Sequence, residues 1–521
     1  MSCSRRKYRL AIHDALLIRP LHRPITADVL VAHDGTVAFI GKAQESDLLT
    51  ADRLIEAADL WLIPGFVSAH SQLWQHGFPG RAPKSNVKEW SQALYNETKD
   101  LSAEELYELT VDGAASHIRK GITTVFNFTY PSRLEDGRAD RAQFEGAMYA
   151  GIRLVHGFNV GKYSNDWTTS QALQRTEHFL SWATQFKDWQ QHLGTKISLH
   201  GLEDHCATPE TIQMESYIMK KLKVGGHLNY LESPNGNDII REHTRWDWLV
   251  NSGLLNSKLT LSHFVQSWAH GSTIHRAGMV PEVARKGVGM SWNPMSNARL
   301  GSGYATIETY KQLGLRRIGL GVDGEASSGR CDPFENMRLS VYLPRLHKPN
   351  LGPGDLGPKE AFVLHTLGAA SLLNCGPKVG TLANGRFADM ILLRPPCDKT
   401  IPDPLSAMVF SSGVEDIVAV FVGGLEQWPR HTGPPLKIEG ERWPAWTFPS
   451  DDTPSEKKEA STPSRETTIS SEEAPSSSKK RRIEPRGVQR EQSTVESRNP
   501  PLRPKNRHDT FINTSSKSFH S

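Results

Sequence analysis

Cysteine is scarce and scattered in this chain. Cys3, Cys206, Cys331, Cys375 and Cys397 show no CxxC spacing, which argues against a disulfide framework and against a thiolate zinc site. No apolar run approaches the ~20 residues that a membrane helix needs. The opening MSCSRRKYRLAIHDALL turns polar too soon for a secretory signal of the usual kind. An excess of one charge is also lacking: 61 Lys and Arg stand against 57 Asp and Glu, so the whole molecule carries no electrostatic signature for nucleic acid. These absences lead us to expect a cytoplasmic protein whose partners include neither membrane nor nucleic acid.

What is there is enough chain, 521 residues, for one large domain with smaller parts. Near the start, DVLVAHDGTVAFIGKA has two apolar segments separated by Asp34-Gly35, a hairpin signal. A similar style returns in GRFADMILL (385–393) and EDIVAVFVGG (415–424). The middle alternates: LIPGFV (62–67), ITTVFNF (122–128), IRLVHGF (152–158), KISLH (196–200), KVGGHL (223–228), LTLSH (259–263), GVGMSW (287–292) and RRIGLGVD (316–323) read as strands. Helix-like stretches such as SAEELYELTVDGAASHIRK (102–120) and REHTRWDWLVNSGLL (241–255) lie between them. Strands alternating with helices pair in parallel. About eight of them fit a closed (β/α)8 TIM barrel, with a doubly wound open sheet as the alternative on pattern alone.

The expected organisation is a composite β-sandwich domain from residues 1–63 and 379–447, with the barrel, 64–378, inserted between its halves. Residues 448–521 form a Ser/Thr/Pro-rich tail with too few apolar groups to build a core, and are expected to be disordered. Within the tail, Lys479-Lys480-Arg481-Arg482 reads either as a nuclear address or as a solvated charge cluster, and nearby serines are candidate phosphorylation sites.

In a barrel of this kind, chemistry sits at the C-terminal ends of the strands. His70 follows the first strand, Asn127 ends the second, His156 is near the end of the third, Asn229 and Glu232 follow the fifth, His263 ends the sixth and Asp323 the eighth. One histidine at a strand end is ordinarily a core or loop residue. His70, His263 and Asp323 on three separate strands suggest a convergent pocket. Imidazole nitrogens and a carboxylate are good ligands for Zn²⁺ or Fe²⁺, and such an ion makes hydroxide available near neutral pH. Glu232 is placed to protonate a leaving nitrogen and Asp323 to take the water proton. Hydrolytic loss of an amine from an amidine-like ring carbon, or cleavage of an amide, fits this set. His156, His200 and His205 have no partner spacing that singles them out. The glycines of GSG (301–303) are turn-makers, since no Lys-Ser/Thr follows them.

At these residues the sequence resembles the amidohydrolase superfamily, and is most similar to the branch containing 8-oxoguanine and guanine deaminases, triazine hydrolases and adenosine-type deaminases. The likeness runs from about residue 20 to 430. It is carried by PGFVSAHSQLWQ (64–75), NPMSNARLGSG (293–303), GVDGEASSGRCDPFENMR (321–338) and VGTLANGRFADMILL (379–393). The resemblance implies one Zn²⁺ or Fe²⁺ held by His-x-His, a fifth-strand His, a sixth-strand His and an eighth-strand Asp. It also implies a small-molecule ligand, a nucleobase-like substrate and often a homodimer. Gln75 matches a residue that helps hold substrate in relatives, and Trp74 either lines the mouth or packs beneath it. Trp292, before Asn293-Pro294, stands where many relatives have a histidine and is a further candidate for substrate contact.

The pattern breaks at the ligands. His70, His263 and Asp323 match, as do His227 and Glu232 in HLNYLE, but Gln72 and Asn229 occupy ligand positions and Gln266 replaces another common histidine. A carboxamide oxygen competes poorly with water for Zn²⁺, so the implied metal is weakly held or absent, or is a harder ion such as Mn²⁺ or Mg²⁺. Three readings stand: a C–N hydrolase, in particular a deaminase of a small nitrogenous ring, with an atypical ligand set; an inactive scaffold that binds a ligand or partner; and metal-free chemistry by Glu232 or Asp323. In the second, Gln72 and Asn229 can hydrogen-bond directly to Asp323 and Glu232.

Overall fold

A computed structural model describes residues 7–130, 134, 136–161, 167–202, 207–233, 239–266, 278–346, 352, 355–397, 400–429 and 443–446. The tail 448–521 with its basic run, and His205, lie outside the described residues.

Two eight-stranded sheets organise residues 8–428. Five strands come first: β1 (Tyr8–Leu17), β2 (Ile25–Val31), β3 (Val37–Gly41), β4 (Ala51–Glu56) and β5 (Trp61–Pro64). The barrel strands follow: β6 (Phe66–Ser71), β7 (Ile122–Phe128), β8 (Arg153–Asn159), β9 (His192–Leu199), β10 (Gly226–Tyr230), β11 (Leu259–His263), β12 (Gly289–Trp292) and β13 (Ile318–Leu320). The chain then returns to the first sheet as β14 (Met390–Leu393), β15 (Ile417–Val422) and β16 (Leu425–Trp428). That sheet runs β16-β15-β14-β5-β1-β2-β3, with β4 also paired to β1. Its β2–β3 hairpin turns at Asp34-Gly35, where Gly35 adopts φ +81°, as the Asp-Gly signal requires.

The barrel strands pair in parallel in sequence order, β6 to β13. Every residue of β6, β7, β8 and β11 is buried, as expected for parallel strands covered on both faces. Closure between the last strand and the first is made by a single bridge, Ser71 with Asp323. Asp323 N donates to His70 O at 2.9 Å and Gln72 N donates to Asp323 O at 3.2 Å. The barrel is thus sealed at the same residues that the sequence singles out for chemistry.

One expectation needs correcting. LIPGFV is not one strand: Trp61–Pro64 belongs to the outer sheet and Phe66–Ser71 opens the barrel. The chain changes sheets at Gly65, where a Cβ would lie 2.2 Å from Thr123 Oγ1. Only glycine permits that approach. The long helix comes out at Ala103–Arg119, and its start is set by a capping box between Ser102 and Glu105. Across the two sheets, Arg153 on β8 makes a bidentate pair with Asp389, at 2.7 and 2.9 Å, with both side chains buried.

Candidate metal centre and ligand pocket

Three strand ends deliver the polar cluster. His70 comes from β6, His263 is the last residue of β11, and Asp323 follows β13. One ligand-capable atom from each lies within 4.8 Å of the others, and all three residues are buried. His263 and Asp323 also have left-handed backbones, at φ +67° and +58°. A non-glycine residue is rare there and such a conformation costs about 1–3 kcal/mol. The fold therefore sustains strain at two of the three positions, a signal that residue spacing in the sequence does not carry.

The surroundings orient each group. His70 Nδ1 lies 3.1 Å from His227 Nε2, and the His227 ring stacks on Phe126 at 4.3 Å. Burial, then the neighbouring His70, Lys196 and His263, hold the His227 imidazole well below its ordinary pKa. It is neutral, and its Nε2 lies within hydrogen-bonding distance of His70 Nδ1. Burial pushes the Asp323 carboxyl up, but the imidazoles of His70 and His263 outweigh it and hold the group well below the usual carboxylate range. Ser327 Oγ donates to Asp323 Oδ2 at 2.8 Å. Asn297 Nδ2 lies 2.9 Å from His263 Nδ1, and Glu232 Oε1 lies 3.5 Å from the same nitrogen.

Gln72 and Asn229 behave differently. Gln72 Nε2 donates to Asp323 Oδ1 at 2.8 Å, while Gln72 Oε1 accepts from Gln75 Nε2. Gln72 thus spends its carboxamide on its neighbours. Asn229 Nδ2 donates to Tyr130 Oη at 3.0 Å, and Asn229 Oδ1 is buried without a hydrogen-bond partner among the described residues. His70 Nε2 lies 3.3 Å from Asp323 Oδ1 and has no hydrogen-bond partner among the described residues. Two imidazole nitrogens and a carboxylate oxygen from three strand ends fit a divalent cation.

A cavity of about 60 Å³ lies beside this cluster. Trp74 and Gln75, from the 3₁₀ turn Leu73–Gly77, line it together with Trp90, Leu94, Tyr130 and Gln143. Gln75 connects the cavity to the cluster through Gln72 and Asp323, and Tyr130 bonds Asn229. Trp292 is fully buried in the main hydrophobic core and is not among the residues lining this cavity. His200 Nε2 pairs with Thr129 O at 3.1 Å, and His156 lies 3.7 Å from Asp140 and stacks on Phe179. Sequence reasoning did not reach Ser327, Asn297 or Gln143. Ser327 is four residues beyond Asp323 on the short helix Glu325–Ser328, a spacing that could have pointed to it. Gln143 has no comparable signal.

Comparison with known proteins agrees with this architecture. A 5-methylthioadenosine/S-adenosylhomocysteine deaminase of Acetivibrio thermocellus is 27% identical over 402 residues, covering 75% of this chain and 86% of the relative. A 5'-deoxyadenosine deaminase of Methanobrevibacter smithii is 25% identical, covering 76% of this chain and 86% of the relative. In structure, an adenosine deaminase of Xanthomonas campestris solved with bound zinc superimposes with a TM-score of 0.68, over 81% of this chain and 93% of that one, at 18% identity. The family model for amidohydrolases matches residues 61–426, and on that match the chain belongs to the amidohydrolase family.

Proposed function

We propose that the protein is a hydrolytic deaminase of a small nitrogenous ring compound, using a divalent cation held by His70, His263 and Asp323. The observation that carries this reading is the convergence of those three buried groups within 4.8 Å, two of them at strained backbone positions. Strain of this kind clusters at functional sites. A bound cation would supply a water acidified toward neutral pH. Asp323, held ionised, would accept a proton from the attacking water, and Glu232 would deliver one to the departing nitrogen. Overall the water oxygen bonds to the ring carbon and the C–N bond breaks, one water hydrogen ending on the ammonia that leaves and the other on the neighbouring ring nitrogen, so that the ring carbon keeps a carbonyl. Trp74 and Gln75 border the ring on the cavity side.

Because the relatives described above act on adenine nucleosides, 5-methylthioadenosine and 5'-deoxyadenosine are the first substrates to try. Ammonia release would be followed with the full-length protein supplied with Zn²⁺ or Mn²⁺. Glu232→Gln should lower turnover by about 10²- to 10⁴-fold while zinc content stays unchanged. Equal turnover in the variant, or no ammonia from any amino-substituted ring, would refute the reading.

A second reading, a ligand-binding scaffold without hydrolysis, is favoured by the Gln72 hydrogen bond to Asp323. That bond engages the carboxylate which hydrolysis requires. Saturable binding of a nucleoside without ammonia release, whatever the metal, would select it.

A further inference from the structure

A chain of carboxamides runs from Asp323 toward the cavity beside the cluster. Gln72 Nε2 donates to Asp323 Oδ1 at 2.8 Å. Gln72 Oε1 then takes a hydrogen from Gln75 Nε2. The relay ends at Gln75 Oε1, which is buried and has no hydrogen-bond partner among the described residues. Gln143, on the helix Arg138–Ala150, lines the same cavity, and its Oε1 is likewise buried and without a partner among the described residues. The two residues are 1% and 3% exposed. Buried polar atoms in proteins are nearly always paired. Two unpaired acceptors in one cavity point to a ligand that brings the donors.

The walls narrow the chemistry. Trp74, Trp90, Leu94 and Leu106 make the lining apolar, and Lys99 is the one charged residue among the described residues that line it. Carboxamide oxygens repel a carboxylate or phosphate, Lys99 disfavours an ammonium group, and apolar walls penalise any unpaired charge. We propose that this cavity is a subsite for an uncharged, donor-bearing part of the ligand, with hydroxyl or amino groups on an otherwise apolar frame. Gln75 and Gln143 act as its acceptors, which makes Gln143 a specificity-determining residue. This deepens the function proposed above and rests on that reading only in taking the cavity as the ligand site.

The test is equilibrium dialysis of the full-length protein, wild type and Gln143→Leu, against 5-methylthioadenosine and S-adenosylhomocysteine. The first is uncharged and the second ends in a zwitterionic amino acid. The wild type should bind the uncharged nucleoside at least about tenfold more tightly. Gln143→Leu should lose about fivefold of that affinity, the scale of one net hydrogen bond, with no fall in melting temperature because the variant deletes an unsatisfied acceptor. Equal binding of the two nucleosides, binding of neither, or unchanged affinity in the variant would overturn the subsite. Ammonia measured in the same samples keeps the two readings apart. Selective binding without ammonia removes the deaminase and leaves the subsite, whereas ammonia release with no discrimination does the reverse.

Discussion

Placing imidazoles at positions 72 and 229 is the most direct challenge to the proposed metal site. In Gln72→His/Asn229→His, the candidate ligand set grows from His70, His263 and Asp323 by two nitrogens. The exchange has a price in the metal-free protein. The Gln72 hydrogen bond to an ionised Asp323, 2.8 Å, belongs to the class worth about 1.5–3 kcal/mol, and the Asn229–Tyr130 bond, 3.0 Å, to the class worth about 0.5–1.5 kcal/mol. The metal-free variant should therefore be less stable than wild type by about 2–4.5 kcal/mol. With zinc the gap should narrow. A hundredfold gain in affinity is about 2.7 kcal/mol of binding free energy, and it reaches the folded state through mass action. Zinc affinity would be measured by competition with a chromophoric chelator, and stability by denaturant titration with and without zinc. An unchanged zinc affinity would show that positions 72 and 229 do not face the cation. A metal-free variant as stable as wild type would show that Gln72 does not hold Asp323.

Other expectations reach outside the cluster. Asp28 accepts from Asp14 N at 2.9 Å and Ala43 N at 2.7 Å and lies 2.7 Å from His13 Nδ1. The bond to Asp28 raises the His13 pKa. Burial pushes Asp28 up, but the Ala43 and Asp14 amides and His13 lower it overall. The His13 contribution is thus full below its unfolded pKa and is lost as pH rises through the folded one. The Asp28 contribution is lost only in acid. Asp28→Asn should cost more stability at pH 5.5 than at pH 8 in urea titrations, and a pH-independent difference would contradict the pairing. Asp389→Asn leaves the buried Arg153 guanidinium without its counter-ion and should destabilise by about 3–5 kcal/mol; a loss below 1 kcal/mol would show that water reaches the pair. Gly324→Ala would put a Cβ 1.9 Å from Gln75 Oε1. It should weaken nucleoside binding by displacing the Gln75 carboxamide, and an unchanged dissociation constant would show that Gln75 is not a contact.

Much of the barrel was legible because its signals are local. The β-branched run ITTVFNF is β7 residue for residue, and LTLSH is β11, since a short apolar run between breakers has few other ways to bury itself. The helix after Ser102 begins where its capping box says it must. LIPGFV misled because two strands of different sheets meet end to end, and only the crowding of Thr123 against Gly65 marks the join. No periodicity reports that contact.

The sequence by itself determined which side chains are available at the strand ends: His70, His263 and Asp323, with the carboxamides Gln72 and Asn229 close by in the chain. Residue identity fixes donor chemistry, so the kinds of donor and acceptor on offer needed no coordinates. Only the tertiary structure decided where those carboxamides point. Gln72 is bound to Asp323, Asn229 to Tyr130, and two glutamine oxygens have no partner among the described residues. Hydrogen-bond direction depends on neighbours brought together from distant strands, and closing the barrel between Ser71 and Asp323 is what brings them there.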